Sequence, residues 1–480
     1  MESGDALHVV MFPWLGMGHF IPFLNLSKCL AQKGHHVSFI STPRNLQRLP
    51  KIPPNLAHLI TLISLPLPKA NHLPDHAESS MDIPHHKQQF LKMAFDLLQP
   101  PLTTFLATTT PAPDWIVYDY ASPWVPKLAA RLGISRAYFS LFTAAAMAYI
   151  GPPWALLSDE YARTTPEDFT VVPKWIPFES DMAYRPHEVL KIFESSDEDE
   201  LVGSQIEAAT SDIERFCLSI GESDVVFIRT CVEFEPEWFN LICELYQKPV
   251  VPVGVLPPFW DNNETGSDDN KLVGVKEWLD KQIVNSVVYV AFGTESTLSQ
   301  VELTELALGL EQSRIPFVLV LRNPTGTTLN TIEMLPDGFV ERVKSRGVVY
   351  VGWAPQAKIL GHSAIGGFLT HCGWNSIIEG LGLGRVLILL PLCNEQGLNA
   401  RLLNNKTLGV EVPRNEQDGS FTRDSVADSV RLAMVKEESE ALREKAREMK
   451  ALFGDKSVND HYVDGFVRYL VENRTSRLRA

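Results

Sequence analysis

Short, wholly apolar runs separated by helix-length amphipathic segments recur along this chain, and that alternation limits the folds open to it. Residues 7–12 form the first such run. It is too short for a stable helix and apolar at nearly every position, as a parallel strand buried on both faces must be. Pro13-Trp-Leu-Gly-Met-Gly18 reads as a loop, punctuated by a proline and two glycines. Phe20, Phe23, Leu24, Leu30 and Ala31 follow at helical spacing, opposite Asn25, Lys28 and Gln32, and Gly34 stops that helix. His35-His-Val-Ser-Phe-Ile40 begins the next strand, and others are expected at 60–65, 115–118 and 225–228. Strand and helix in alternation build a parallel sheet covered on both faces.

Near residue 250 the texture changes. Val251-Pro-Val-Gly-Val-Leu-Pro-Pro258 leads into Asp261-Asn-Asn-Glu-Thr-Gly-Ser-Asp-Asp-Asn270, polar and turn-rich like an exposed linker or loop. A second series starts at Val287-Val-Tyr-Val-Ala-Phe-Gly293, with strands expected at 317–321, 348–351, 367–370 and 386–390. The fold class is therefore α/β, with two doubly wound domains in tandem facing across a cleft. A length of 480 residues accommodates both. The expected boundaries are 1–250 and 251–455, with a helical segment at 456–480 packing back on the first domain.

Several classes are disfavoured. The 58 acidic residues outnumber the 43 Lys and Arg, for a net charge of −15, where nucleic-acid binding wants a basic face. The first residues carry two acids and no base, unlike a signal peptide. Residues 137–158 lack charge, but Pro152-Pro153 interrupts them, so a buried strand followed by a loop is expected rather than a membrane span. The six cysteines include no C-x-x-C pair and read as reduced thiols of a cytoplasmic protein. Glu194-Ser-Ser-Asp-Glu-Asp-Glu200 reads as a solvated loop, and His35-His36 and His85-His86 as surface or strand-end pairs, so no metal site is expected. Gly16-Met-Gly18 lacks the third glycine of a dinucleotide fingerprint, and neither a P-loop nor a nucleophile elbow occurs.

Residues 353–396 carry more chemistry. Thr370-His-Cys-Gly-Trp-Asn-Ser376 follows an apolar strand, and a helix should begin near Gly373. Free N–H groups and the helix dipole at such a strand end favour a phosphate. Gly373 permits close approach, while His371, Asn375 and Ser376 add donors. Trp353, ahead of Ala354-Pro-Gln356, offers a flat surface for a base. Glu379 suits ribose hydroxyls, and Glu395-Gln396, after another strand, suits sugar hydroxyls. Each alone has a packing explanation; Cys372, for one, reads as a small buried hydrophobe.

In that order, Trp353-Ala-Pro-Gln-Ala-Lys-Ile-Leu-Gly-His362, His371-Cys-Gly-Trp-Asn-Ser376, Glu379 and Glu395-Gln396 resemble the donor-binding box of plant family-1 UDP-sugar glycosyltransferases, and the resemblance covers almost the whole chain. It implies two Rossmann-like domains of the GT-B type, with the acceptor held by the first and the UDP-sugar by the second. It further implies that Trp353 stacks on uracil, that Ala354 and Gln356 contact base and ribose, and that Glu379 holds the ribose. His371, Gly373, Asn375 and Ser376 would take the diphosphate, Trp374, Glu395 and Gln396 the sugar, and Thr294 the phosphates or sugar. Two departures stand out. The family usually ends the box in Asp-Gln, and Gly384-Arg385-Val386 replaces its commoner Gly-Val-Pro; Arg385, just before a strand, reads as solvated.

His19 opens the first helix and Asp119 ends a strand, both at carboxyl-end mouths. A neutral histidine suits removal of a hydroxyl proton, and a carboxylate on its other nitrogen holds the tautomer. The resemblance matches these positions to base and orienting acid, in an inverting transfer that requires neither metal nor cofactor, UDP-sugar being a co-substrate.

Ser41-Thr-Pro-Arg-Asn45, Ala77-Glu-Ser-Ser80 and Cys231-Val-Glu-Phe-Glu-Pro236 are similar to the branch that adds sugar to a flavonoid, terpenoid or steroid glycoside. Met17, Trp124, Phe142 and Met147 are candidate acceptor walls, and His85-His-Lys-Gln-Gln89 could meet the acceptor's sugar. The expected partners are thus a UDP-sugar, with glucose ahead of rhamnose, and a small-molecule glycoside, served by a monomer. A non-catalytic nucleotide-sugar binding protein would keep the donor box but would not need His19 and Asp119.

Overall fold

A computed structural model describes residues 6–194, 210–258, 269–294, 296, 298–322 and 331–474. The acidic run from 195 to 200 and the linker residues 261–268 lie outside the described residues. The first sheet has seven strands: β1 (His8–Phe12), β2 (His36–Ser41), β3 (Ile60–Ser64), β4 (Trp115–Tyr118), β5 (Ser135–Ser140), β6 (Val225–Ile228) and β7 (Val250–Pro252). The second has six: β8 (Val287–Ala291), β9 (Phe317–Leu321), β10 (Gly347–Val351), β11 (Ile365–Thr370), β12 (Val386–Leu389) and β13 (Gly409–Glu411). Their orders are β3-β2-β1-β4-β5-β6-β7 and β10-β9-β8-β11-β12-β13, with parallel pairing throughout. β7 and β13 have three residues each, too few for a periodicity to announce them.

In each sheet the winding reverses at one place, between β1 and β4 and between β8 and β11. The loops leaving those strands diverge there and open a crevice at their carboxyl ends. β1, β4, β6, β8 and β9 are buried at every position, which is why they read as unbroken apolar runs. The last helix, Lys456–Glu472, lies on the first sheet: Trp115 Nε1 donates to Leu470 O at 3.0 Å, and Phe466 meets Phe227 edge-on at 4.6 Å.

Three expectations change. The segment after β5 is not a loop but the helix Ala144–Ile150, capped by Thr143, whose side chain accepts from the Ala146 N–H. Four alanines among its first five residues favour it, and Gly151, at φ +109°, ends it. The face of the first helix, Met17–Gln32, that carries Asn25 and Lys28 is buried rather than solvated, because the connector after β7 covers it: Asn25 Nδ2 donates to Leu256 O at 3.4 Å. Arg385 is not solvated either. Its guanidinium donates to the Leu360, His362 and Ile365 carbonyls, tying the end of the short helix Gln356–Leu360 and the turn after it to the start of β11.

Candidate active site

The loop after β1 turns at Gly16 into the first helix, placing His19 in its first turn, while Asp119 directly follows β4. Because β1 and β4 are neighbours, the two side chains meet: His19 Nδ1 lies 2.8 Å from Asp119 Oδ2. Asp119 is buried and fixed, accepting from the Trp14 N–H at 2.7 Å and the Ala121 N–H at 3.2 Å. A carboxylate can only accept, so Nδ1 carries the proton and Nε2 keeps its lone pair. The His19 side chain is 21% exposed, enough for a hydroxyl to reach it.

Across the crevice, Gly373 caps the helix Trp374–Gly382 directly after β11. His371 lies between two glycines; a Cβ on Gly293 or Gly373 would sit 2.7 or 2.6 Å from its Nε2. That contact, and a φ of +73° at Gly293, explain both glycines. Burial, reinforced by the Arg322 charge, pushes the His371 pKa down to about 4, so the ring is neutral at pH 7. Its Nδ1 is buried without a hydrogen-bond partner. An unpaired acceptor costs less than an unpaired N–H, which places the proton on Nε2. Thr294 follows Gly293 in the turn after β8 and is half-buried.

Trp353 is 49% exposed after β10, with the Arg322 guanidinium 4.7 Å from its ring centroid, an electrostatically favourable stack. Ala354 is buried beside it. Gln356 Nε2 donates to Ser376 Oγ at 3.0 Å and to Glu379 Oε2 at 2.8 Å, joining three of the expected donor residues. Burial raises the Glu379 carboxyl, against the opposing pull of that amide and of Arg229.

Two side chains differ from expectation. Trp374 is buried; its Nε1 donates to Arg229 O at 2.8 Å and its ring stacks on Phe234 at 5.7 Å. What this residue presents to the crevice is therefore its backbone. Gln396 is also turned inward, its Oε1 accepting from the Leu392 and Cys393 N–H groups at 3.0 and 3.1 Å. Glu395, half-buried, caps the helix Gln396–Asn405 and adds to the pressure that keeps the buried Tyr184 hydroxyl protonated.

The acceptor candidates separate. Met147 is wholly buried and Met17 nearly so; the packing makes Met147 a core residue, not a wall, because its helix is covered by the helix Pro236–Leu245. Trp124 is held by Asp96 at 3.0 Å and lies edge-on to Phe12, and Phe142 is half-buried. Gln89 donates to Thr210 O at 3.2 Å.

Sequence reasoning missed Arg229, which follows β6 as Asp119 follows β4. It is buried, and burial pushes its pKa down to about 9. A charge immediately after a wholly apolar strand was the available signal.

The sequence model described as UDP-glucoronosyl and UDP-glucosyl transferase matches residues 251–456. UDP-glycosyltransferase 91C1 of Arabidopsis thaliana is 57% identical over 466 residues, 97% of each chain. The chain belongs to the plant family-1 UDP-glycosyltransferases. A soyasaponin III rhamnosyltransferase of Glycine max is 43% identical, over 98% of this glycosyltransferase and 97% of that one. Among solved structures, Phytolacca americana UGT2 complexed with UDP-2fluoro-glucose and pterostilbene superposes with a TM-score of 0.75 at 25% identity, covering 98% of this chain and all of that one. The glycosyltransferase thus has the GT-B architecture of two facing Rossmann-like domains. Among the described residues, no helix is long and apolar enough to cross a membrane.

Proposed function

We propose that the enzyme transfers a hexose, glucose in the first instance, from UDP-sugar to a hydroxyl of a plant small-molecule glycoside of the flavonoid, terpenoid or steroid class. Residues 1–250 hold the acceptor and 251–455 the donor. The observation that carries the reading is the His19–Asp119 pair: with Nδ1 protonated toward Asp119, Nε2 of the partly exposed His19 has the lone pair a base needs. His19 is the base: its Nε2 takes the acceptor's hydroxyl proton as that oxygen attacks the anomeric carbon. The bond from that carbon to the diphosphate oxygen breaks on the opposite face, its electrons leave with UDP, and the configuration inverts. Asp119 orients the ring and stabilises the imidazolium.

Uracil stacks on Trp353, and the ribose meets Glu379 and Gln356. The diphosphate takes the N–H groups at the start of the Trp374–Gly382 helix, together with the neutral His371 Nε2–H, Asn375, Ser376 and Thr294. These donors are fixed before the leaving group's charge develops, so little reorganisation opposes it. Glu395 borders the sugar, and Gln396 holds the loop before it in place. The reading calls on no metal or cofactor, and places a monomeric enzyme with reduced thiols in the cytoplasm.

The glycoside acceptor rests on the three motifs that resemble the sugar-extending branch, and the rhamnosyltransferase relative makes UDP-rhamnose the second donor to test. Purified enzyme offered UDP-glucose, UDP-rhamnose, UDP-galactose and UDP-xylose with paired glycosides and aglycones tests both, with product mass as readout. Transfer of glucose to glycosides in preference to aglycones is the expected result. Transfer only to aglycones overturns the acceptor assignment, and transfer only from UDP-rhamnose overturns the donor.

A further inference from the structure

Arg229 has a buried guanidinium whose hydrogen-bond partners are all uncharged. Nε donates to Val255 O at 2.7 Å, Nη2 to Leu256 O at 3.1 Å, and Nη1 to Asn375 Oδ1. No carboxylate lies within ion-pair distance of it among the described residues. The Asn375 amide, so oriented, donates through Nδ2 to Gly18 O at 3.0 Å, the carbonyl of the peptide that leads into His19. One hydrogen-bonded chain therefore runs from the connector between the domains, through Arg229 and Asn375, to the backbone that carries the base.

An unpaired buried cation is expensive, and is tolerated where an anion comes to it or where its hydrogen bonds are fully satisfied. Asn375 is the second residue of the helix whose start receives the diphosphate in the function proposed above, so the inference rests on that reading. We infer that Arg229 is a positioning residue of the transfer reaction: it fixes the Asn375 amide between the diphosphate and the His19 loop, and its charge favours the dianionic part of the donor from behind. The uracil and ribose contacts, at Trp353 and Glu379, share no hydrogen bond with this chain, and Arg229 acts on Glu379 only through its charge.

Titration of UDP and of uridine into purified Arg229→Gln, Arg229→Lys and Asn25→Ala tests it, with kcat measured in parallel. Asn25→Ala loosens the same connector, losing the contact to Leu256 O. Arg229→Gln is expected to weaken UDP on the order of tenfold or more, as loss of a charge-assisted hydrogen bond does, with uridine, which feels Arg229 only through the charge on Glu379, weakened far less. Arg229→Lys keeps the charge but lacks the planar fork that reaches three oxygens, so UDP affinity is largely restored while kcat falls. Asn25→Ala leaves both affinities and kcat unchanged. Equal weakening of UDP and uridine makes Arg229 a general packing residue and overturns the inference, as does unchanged UDP affinity. If Arg229→Gln does not fold, Arg229→Lys decides: an unchanged kcat overturns the inference. His19→Ala separates the two readings, since retained turnover there refutes the base assignment whatever Arg229 does.

Discussion

His19 and Asp119 stand 100 residues apart in sequence, yet their side chains meet at 2.8 Å, one from the first turn of the helix after β1 and the other from the residue that follows β4. The pairing follows from strand order. Replacing His19 by Ala should lower turnover by a factor on the order of 10²–10⁴, the range general-base catalysis supplies. Asp119→Asn should also lose turnover, since an amide can donate to Nδ1 and move the imidazole proton to Nε2. UDP binding, measured by titration calorimetry, should be unchanged in both.

Trp353 predicts the opposite pattern. An aromatic platform under a base contributes roughly 1–3 kcal/mol, so Trp353→Ala should weaken UDP and uridine alike, by about tenfold or more. A loss confined to UDP would move the uracil site elsewhere.

His371 makes stability depend on pH. Its folded pKa of about 4 lies below the ordinary imidazole value of 6.5, so between those values the unfolded chain binds the proton more readily. This contribution is complete above about pH 6.5 and is lost as pH falls toward 4. Urea unfolding at pH 7 and pH 5 should show the wild type losing more stability than His371→Gln on acidification. Parallel losses would remove His371 as the cause.

Glu235 belongs to the Cys231–Pro236 motif and is buried. Its carboxylate accepts from the Ala144 N–H at 2.9 Å and the Ala145 N–H at 3.0 Å, and from the Thr230 hydroxyl. It therefore holds the start of the Ala144–Ile150 helix. Glu235→Ala leaves those donors unsatisfied and should cost about 2–4 kcal/mol in chemical denaturation, a larger loss than any exposed glutamate on the Glu440–Phe453 helix would give.

Much of this arrangement was legible in the sequence. Strands such as β1, β4, β8 and β9 are buried on both faces, and such burial forces an apolar run that can be read directly. The helix start near Gly373 and the stop at Gly34 follow from local backbone chemistry, whereas the first helix begins at Met17, inside the stretch read as loop. His19, Asp119, His371 and Trp353 were recognisable because each stands directly after a strand or loop that presents it to a mouth. The three-residue strands β7 and β13 left no periodicity to read. The Ala144–Ile150 helix was hidden because a short apolar segment without a polar face does not distinguish helix from loop.

The sequence by itself determined the alternation of strand and helix, the two sheets it implies and the chemistry available at their carboxyl ends, because these depend on residues close together in the chain. Tertiary structure alone decided which side chains point into the crevice. It buried Asn25 and Lys28, turned Gln396 inward, placed Trp374 between the domains and bound Arg385 to three carbonyls. It also brought Arg229, Asn375 and Gly18 into one hydrogen-bonded chain. Burial and partnership between segments far apart in the chain depend on which surfaces pack together, and no local pattern carries that information.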